Sequence, residues 1–248
     1  MLRTTFFLFL LIMIGACGAP KTDSVSDVLP SWNEPYRTQL ISELDKLKGD
    51  DIIVSYDMDG TLISEKPLYF LLDLMMDYVS IEGMSKEEIF NALNTFNERP
   101  DYKTLVDSFL QVREVPVFKP MLELMDLCDA RGYKVIICTG SEAYFAEKVA
   151  EKVFPAAQDV IGTDLSVRIN DEEGKVLNLQ DKGYKPDMSF GNSTGDYAMI
   201  EFSKNGGWLV IHDDEARGEV DRPDEYVAEC KELVIRTISI KNAWKVVK

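Results

Sequence analysis

Apolar residues recur along this chain in two alternating rhythms. Over 36–48, Leu40, Ile41, Leu44 and Leu47 stand at helical spacing before Gly49, which predicts an amphipathic helix. The next run, 52–56, is β-branched and aromatic and stops at Asp57, which predicts a buried strand. A long block, 67–131, then reads as helical. It holds a Leu- and Met-rich segment over 68–79, a Ser85-x-x-Glu88 start of the capping-box kind, and an apolar-periodic stretch over 102–112. Its last helix is opened by Pro120 and ended at Arg131-Gly132. Strand rhythm returns over 133–138, ahead of Thr139-Gly140-Ser141, and helical rhythm over 142–152. Alternation from 164 to 179, broken by Asp171-Glu172-Glu173-Gly174, predicts a small hairpin. Residues 188–190 lead into Gly191-Asn192-Ser193, followed by a predicted helix near 194–203. A strand over 208–211 reaches His212-Asp213-Asp214, and a last one is predicted over 233–240.

Strand, loop and helix thus alternate, with a helical block inserted after the first strand. The predicted class is α/β: a mainly parallel sheet covered by helices on both faces. Ligands of such sheets sit beyond the carboxyl ends of the strands, where Asp57, Thr139, Asn192 and His212 all fall.

Composition changes this picture in two ways. At 248 residues and 46% hydrophobic the chain can bury a sizeable core. Its 27 basic and 43 acidic residues leave a net charge of −16, which argues against nucleic acid as a partner. A phosphorylated substrate would therefore need a local cation to enter. Four cysteines (Cys17, Cys128, Cys138, Cys230) are too few for a disulfide scaffold and match no metal knuckle. The lone histidine, His212, excludes His-rich metal sites and leaves its own role open: a hydrogen-bonded loop residue or a neighbour of the substrate.

The first residues read as an address. Arg3, an apolar stretch over 6–14 and then Gly15-Ala16-Cys17 have the three parts of a secretory signal, with an apolar run too short to span a bilayer. Residues 14–17 resemble the lipobox of bacterial lipoproteins. The expectation is a signal peptide over 1–16, lipid on Cys17, and a solvated tether over 17–35 rich in Ser, Asp and Pro. That would anchor the protein in the cell envelope, with Gly18 resembling outer-membrane sorting and the lipid as the sole contact with the membrane.

The chemistry gathers at Asp57-Met58-Asp59-Gly60-Thr61-Leu62. Two carboxylates two residues apart, on a tight turn after a buried strand, can both face the open end of the sheet. With Thr139-Gly140-Ser141 after the second strand and Gly191-Asn192-Ser193-Thr194-Gly195-Asp196 further on, the chain resembles the haloacid dehalogenase (HAD) superfamily. The resemblance implies a Rossmann-like core over 36–66 and 132–248 with a helical cap over 67–131. It implies a phosphatase for a small phosphorylated substrate in which Asp57 attacks phosphorus and Asp59 serves as acid and base. Thr139, Gly140 and Ser141 would hold phosphate with a lysine, Lys185 first and Lys182 as the alternative. Mg²⁺ would be held by Asp57, the Asp59 carbonyl and Asn192 with Asp196. Such a cation is needed because a carboxylate and a phosphate repel one another.

Many relatives carry Asp where this chain has Asn192, which removes one negative charge from the metal site. Gly-Asn-Ser-x-Gly-Asp, Glu65-Lys66-Pro67, His212-Asp213-Asp214 and the Trp244 tail resemble the phosphoserine-phosphatase-like and phosphorylcholine-phosphatase-like branch. A phosphotransferase of the same superfamily and a non-catalytic envelope lipoprotein that binds phosphoesters are the alternatives.

Overall fold

The computed structural model describes residues 28–248. Eight strands follow in chain order: β1 (Ile53–Tyr56), β2 (Lys134–Glu142), β3 (Asp159–Thr163), β4 (Met188–Gly191), β5 (Gly207–Ile211), β6 (Asp213–Asp214), β7 (Glu219–Val220) and β8 (Arg236–Ser239). Six of them make one sheet in the order β3-β2-β1-β4-β5-β8. Every neighbouring pair in it is parallel. The short β6 and β7 pair antiparallel as a separate ribbon.

The sheet is parallel because its strands are joined through helices. They are α1 (Tyr36–Lys46), α2 (Phe70–Met76), α3 (Lys86–Asn97), α4 (Tyr102–Val112), α5 (Lys119–Ala130), α6 (Ala143–Val153), α7 (Glu173–Asp181), α8 (Tyr197–Phe202), α9 (Pro223–Glu232) and α10 (Ile240–Ala243). A strand covered on both faces carries an unbroken apolar run instead of an alternating one. β1 at the centre is buried without alternation: Val54, Ser55 and Tyr56 are all fully buried, and the one polar side chain, Ser55, is bonded to the Ser189 hydroxyl at 2.5 Å. Tyr56 stacks on Phe190 with ring centroids 5.0 Å apart, and its hydroxyl donates to Cys128 Sγ at 3.3 Å. That bond ties α5 to the centre of the sheet.

The helical block expected over 67–131 therefore has two parts. α5 lies against the sheet, whereas α2, α3 and α4 stand together beside it. Phe70 on α2 meets Phe109 on α4 at 5.0 Å and Phe145 on α6 at 5.8 Å, which seats the inserted helices on the core. The capping box is present, with Ser85 and Glu88 each holding the other's backbone N–H at the start of α3.

One expected element is absent and an unexpected one stands near it. No hairpin forms over 164–179. Instead β3 occupies the edge of the sheet, and α7 begins at Glu173. The alternating Leu165, Val167 and Ile169 are loop residues exposed to solvent. Gly174 reads as a turn glycine but serves a different need: a Cβ there would stand 2.2 Å from the Ile169 carbonyl oxygen. The true signal is helical, because Lys175 and Leu179, four residues apart, bury one face.

Candidate active site

The carboxyl ends of β1, β2, β4 and β5 bring the expected residues together. The Asp57 N–H donates to the Phe190 carbonyl at 2.8 Å, the last ladder bond before the chain turns away. Asp57 is only 5% exposed. Gly60, at φ +78°, makes the turn that follows, and a Cβ there would come within 2.0 Å of Asn192 Nδ2. The amide of Asn192 is thus packed on the main chain of the turn. Thr61 Oγ1 donates to its carbonyl oxygen at 3.3 Å.

Asp57 is paired. Lys175 Nζ donates to Asp57 Oδ1 and to Asp196 Oδ1, each at 2.6 Å. Lys175 is 2% exposed and is the one buried Lys or Arg among the described residues. Burial would lower its pKa, but the attraction of Asp196 and Asp57 outweighs that and raises it, so the ammonium persists. Burial and the Asp196 carboxylate in turn push the Asp57 carboxyl upward, and Lys175 opposes them. Asp196 Oδ2 accepts the N–H groups of Asn192 at 2.9 Å and Ser193 at 3.1 Å. Gly191 leaves room for it, since a Cβ there would overlap the Asp196 side chain.

Asp59 faces β2. Its Oδ2 accepts from Ser141 Oγ at 2.7 Å and, more weakly, from Thr139 Oγ1 at 3.5 Å. Its Oδ1 is buried with no hydrogen-bond partner among the described residues. Burial raises the Asp59 carboxyl to about 6, with Glu65 adding to the rise and Ser141 and Thr139 restraining it. Thr139 Oγ1 also accepts the Ser141 N–H at 3.2 Å. The Thr139 carbonyl is held at 2.8 Å by the side chain of the fully buried Asn170. Gly140 is exposed at the rim, and its carbonyl accepts from Thr163 Oγ1 at 2.7 Å.

The lysine is the correction. Lys185 is exposed, with Nζ 5.1 Å from the centre of the Phe202 ring, and Lys182 pairs at 3.5 Å with Asp159. Both lie beyond the far end of α7, whereas the first turn of that helix points at Asp57. Nine residues at ~1.5 Å rise separate the two ends by roughly 13 Å. A helical reading of 173–181 would have found Lys175 as a lysine on a buried face.

Two buried carboxylates, Asp57 and Asp196, share one buried ammonium, and the half-buried Asp59 near them retains an unpartnered oxygen. That surplus of negative charge suits a bound cation. Among the described residues no three His, Cys, Asp or Glu side chains converge as a closed metal cage. The oxygen donors at hand are Asp57, the carbonyls of Asp59 and Asn192, and Asp196 behind them. This sparse, hard-oxygen set fits a small dication that keeps several waters.

A family model described as haloacid dehalogenase-like hydrolase matches residues 54–201. The fold is also similar to that of a HAD family hydrolase from Salmonella enterica serovar Typhi. The TM-score is 0.50 at 13% identity, over 83% of this chain and 77% of that one. A structure named as a candidate phosphoglycolate phosphatase from Lactobacillus delbrueckii aligns at TM-score 0.48 and 13% identity. It covers 75% of this chain and 93% of that one. No curated protein matches the chain.

Proposed function

The chain belongs to the haloacid dehalogenase-like hydrolases, and from that premise we propose that it is a Mg²⁺-dependent phosphatase acting on a small phosphomonoester. The observation that carries the reading is the Lys175 ammonium joining Asp57 to Asp196, beside an Asp59 whose carboxyl is raised to about 6.

An Asp57 oxygen attacks phosphorus, the ester P–O bond breaks, and the departing oxygen takes a proton from Asp59. Asp59 then removes a proton from the water that attacks the aspartyl-phosphate, and free phosphate leaves as the Asp57 carboxylate is restored. A carboxyl near 6 suits both halves of that exchange, because it can give and accept a proton near neutrality. Lys175 neutralises charge at Asp57 as the phosphate arrives. The Thr139, Gly140 and Ser141 segment lines the phosphate end. When bound by Asp57, the Asp59 carbonyl and Asn192 with Asp196 behind it, Mg²⁺ supplies charge neutralisation to the phosphoryl oxygens.

The inserted helices α2–α4 are proposed as the cap that shapes the leaving-group pocket. The Gly191–Asp196 segment favours the phosphoserine-phosphatase-like branch. Lipid attachment at Cys17, which lies outside the described residues, is proposed to hold the enzyme at the envelope.

The test uses p-nitrophenyl phosphate and a panel of phosphorylated metabolites. Hydrolysis should require Mg²⁺, stop with EDTA and be abolished by Asp57→Asn. Lys175→Met should lower kcat by about 100-fold or more, whereas Lys185→Ala should leave it unchanged. Turnover by Asp57→Asn would remove the nucleophile assignment. Binding without turnover across the panel would favour a non-catalytic phosphoester-binding protein, which Asn192 in place of a carboxylate also favours. Transfer of phosphate to added alcohols would favour a phosphotransferase.

A further inference from the structure

Past the segment that matches the family, β5 ends at Ile211 and delivers His212, and the β6–β7 ribbon then brings Glu219 back beside it. His212 is 2% exposed and Glu219 is completely buried. His212 Nε2 lies 2.7 Å from the Gly60 carbonyl oxygen. A carbonyl can only accept, so Nε2 carries the hydrogen and donates it. On the other side of the ring, Nδ1 faces Glu219 Oε2 at 3.4 Å, and each of those atoms lacks another partner among the described residues; since a carboxylate oxygen only accepts, the two pair when Nδ1 carries a hydrogen as well. The remaining Glu219 oxygen accepts from Ser64 Oγ at 2.7 Å, with Lys248 Nζ at 3.4 Å.

Gly60 and Ser64 bracket the turn that directly follows the two carboxylates, Asp57 and Asp59. The turn is closed on itself by the Gly60 N–H donating to the Ile63 carbonyl at 2.7 Å. Phe118 backs it: its N–H donates to the Leu62 carbonyl at 2.8 Å, and its ring lies 5.9 Å from the imidazole. A buried imidazole and carboxylate cost desolvation that an apolar pair of the same volume would avoid. What the polar pair adds is direction. It aims one buried donor at the Gly60 peptide and one acceptor at Ser64, fixing two points of a single turn from one ribbon.

We propose that Glu219 and His212 are a positioning pair that sets the orientation of the Asp57–Thr61 turn. His212 then acts on phosphoryl transfer through the main chain, without touching the substrate. The kinetic consequence rests on the phosphatase reading, whereas the structural one does not.

The experiment therefore has two arms on the purified, tag-free protein. In the first, His212→Leu should lower kcat by about 10- to 100-fold with little change in KM. His212→Gln, whose amide can donate from a similar position, should recover most of the loss. The second exploits the single histidine: a long-range ¹H–¹⁵N spectrum contains one imidazole, expected to be protonated at Nε2 and to shift in Glu219→Gln. A folded His212→Leu with undiminished kcat, or a folded His212→Gln as impaired as the Leu variant, would overturn the pair. So would an imidazole lacking the Nε2 hydrogen. Should His212→Leu not fold, kcat of Glu219→Gln and the spectrum decide. If the wild-type protein turns over no phosphoester, the phosphatase reading falls and the spectrum alone decides the pair.

Discussion

A carboxyl group that must give up a proton and then take one back works best near its own half-titration. At Asp59 the protein reaches that point by burial, pushing the group to about 6, and keeps it from going further with the Ser141 hydroxyl. The arrangement has a stability consequence with a definite sign. A carboxyl raised in the folded state binds more protons there than in the unfolded chain between about 4 and about 6, so stability falls as pH rises through that window. Asp59→Asn removes the loss. In EDTA its unfolding free energy should exceed that of the wild type by about 1–2 kcal/mol at pH 7.5, after discount for partial exposure. The gap should close near pH 4. Denaturant unfolding at the two pH values checks this, and an Asn variant that is less stable at pH 7.5 would contradict it.

Three helices end on the same device with different residues. After α5, Gly132 takes a positive φ and the Tyr133 N–H reaches back to the Cys128 carbonyl at 3.0 Å. After α7, Gly183 and the Tyr184 N–H to the Leu179 carbonyl at 2.8 Å do the same. After α9 the Ile235 N–H bonds the Cys230 carbonyl at 2.8 Å, but the residue at positive φ is Val234, at +58°. A β-branched side chain in that region is strained by about 1–2 kcal/mol, and glycine is the usual occupant. Val234 is 88% exposed, so its removal forfeits little packing. Val234→Gly should therefore stabilise the protein by about 1 kcal/mol, raising Tm by roughly 2–4 °C. An unchanged or lower Tm in a calorimetric scan would refute the strain.

Across the whole molecule, the start of the described chain is clasped to its end. Trp32 meets Trp244 edge-on at 6.0 Å, the Asn33 N–H donates to the Ala243 carbonyl at 2.7 Å, and the Lys245 N–H to the Ser31 carbonyl at 2.9 Å. The Lys119 N–H completes the clasp at the Val247 carbonyl, 3.0 Å away, so the start of α5 shares it. Residues 28–35, read from the sequence as the end of a solvated tether, are instead packed onto the core, with Leu29 and Trp32 buried. The ten residues between Cys17 and Val28 let the two ends stand at most about 40 Å apart when extended. Among the described residues no helix is long and apolar enough to cross a membrane; the anchor proposed above is the lipid on Cys17. In a bacterial host the full chain should partition into the membrane fraction and Cys17→Ser should release it. Soluble wild-type protein would discard the anchor.

Local chemistry was enough to find the Asp57–Thr61 turn and most of the strands. The run ending at Asp57, the run ending at Thr139 and the run ending at His212 are continuous apolar segments, because a buried parallel strand imposes that pattern wherever it lies. Gly132, Pro120 and Ser85 marked helix ends for equally local reasons. β3 and α7 escaped because neither carries a pattern strong enough on its own: the one is a short edge strand, the other a helix whose glycine answers to the Ile169 carbonyl. Lys175 became visible only once that helix was placed, since a lysine acquires its partners from elements distant in sequence. The same holds for His212 and Glu219, whose meeting with Gly60 and Ser64 depends on how a ribbon after β5 crosses a turn after β1. Sequence determines which residues can ionise, bend or bury. Which charge faces which is decided when the sheet brings the ends of its strands together.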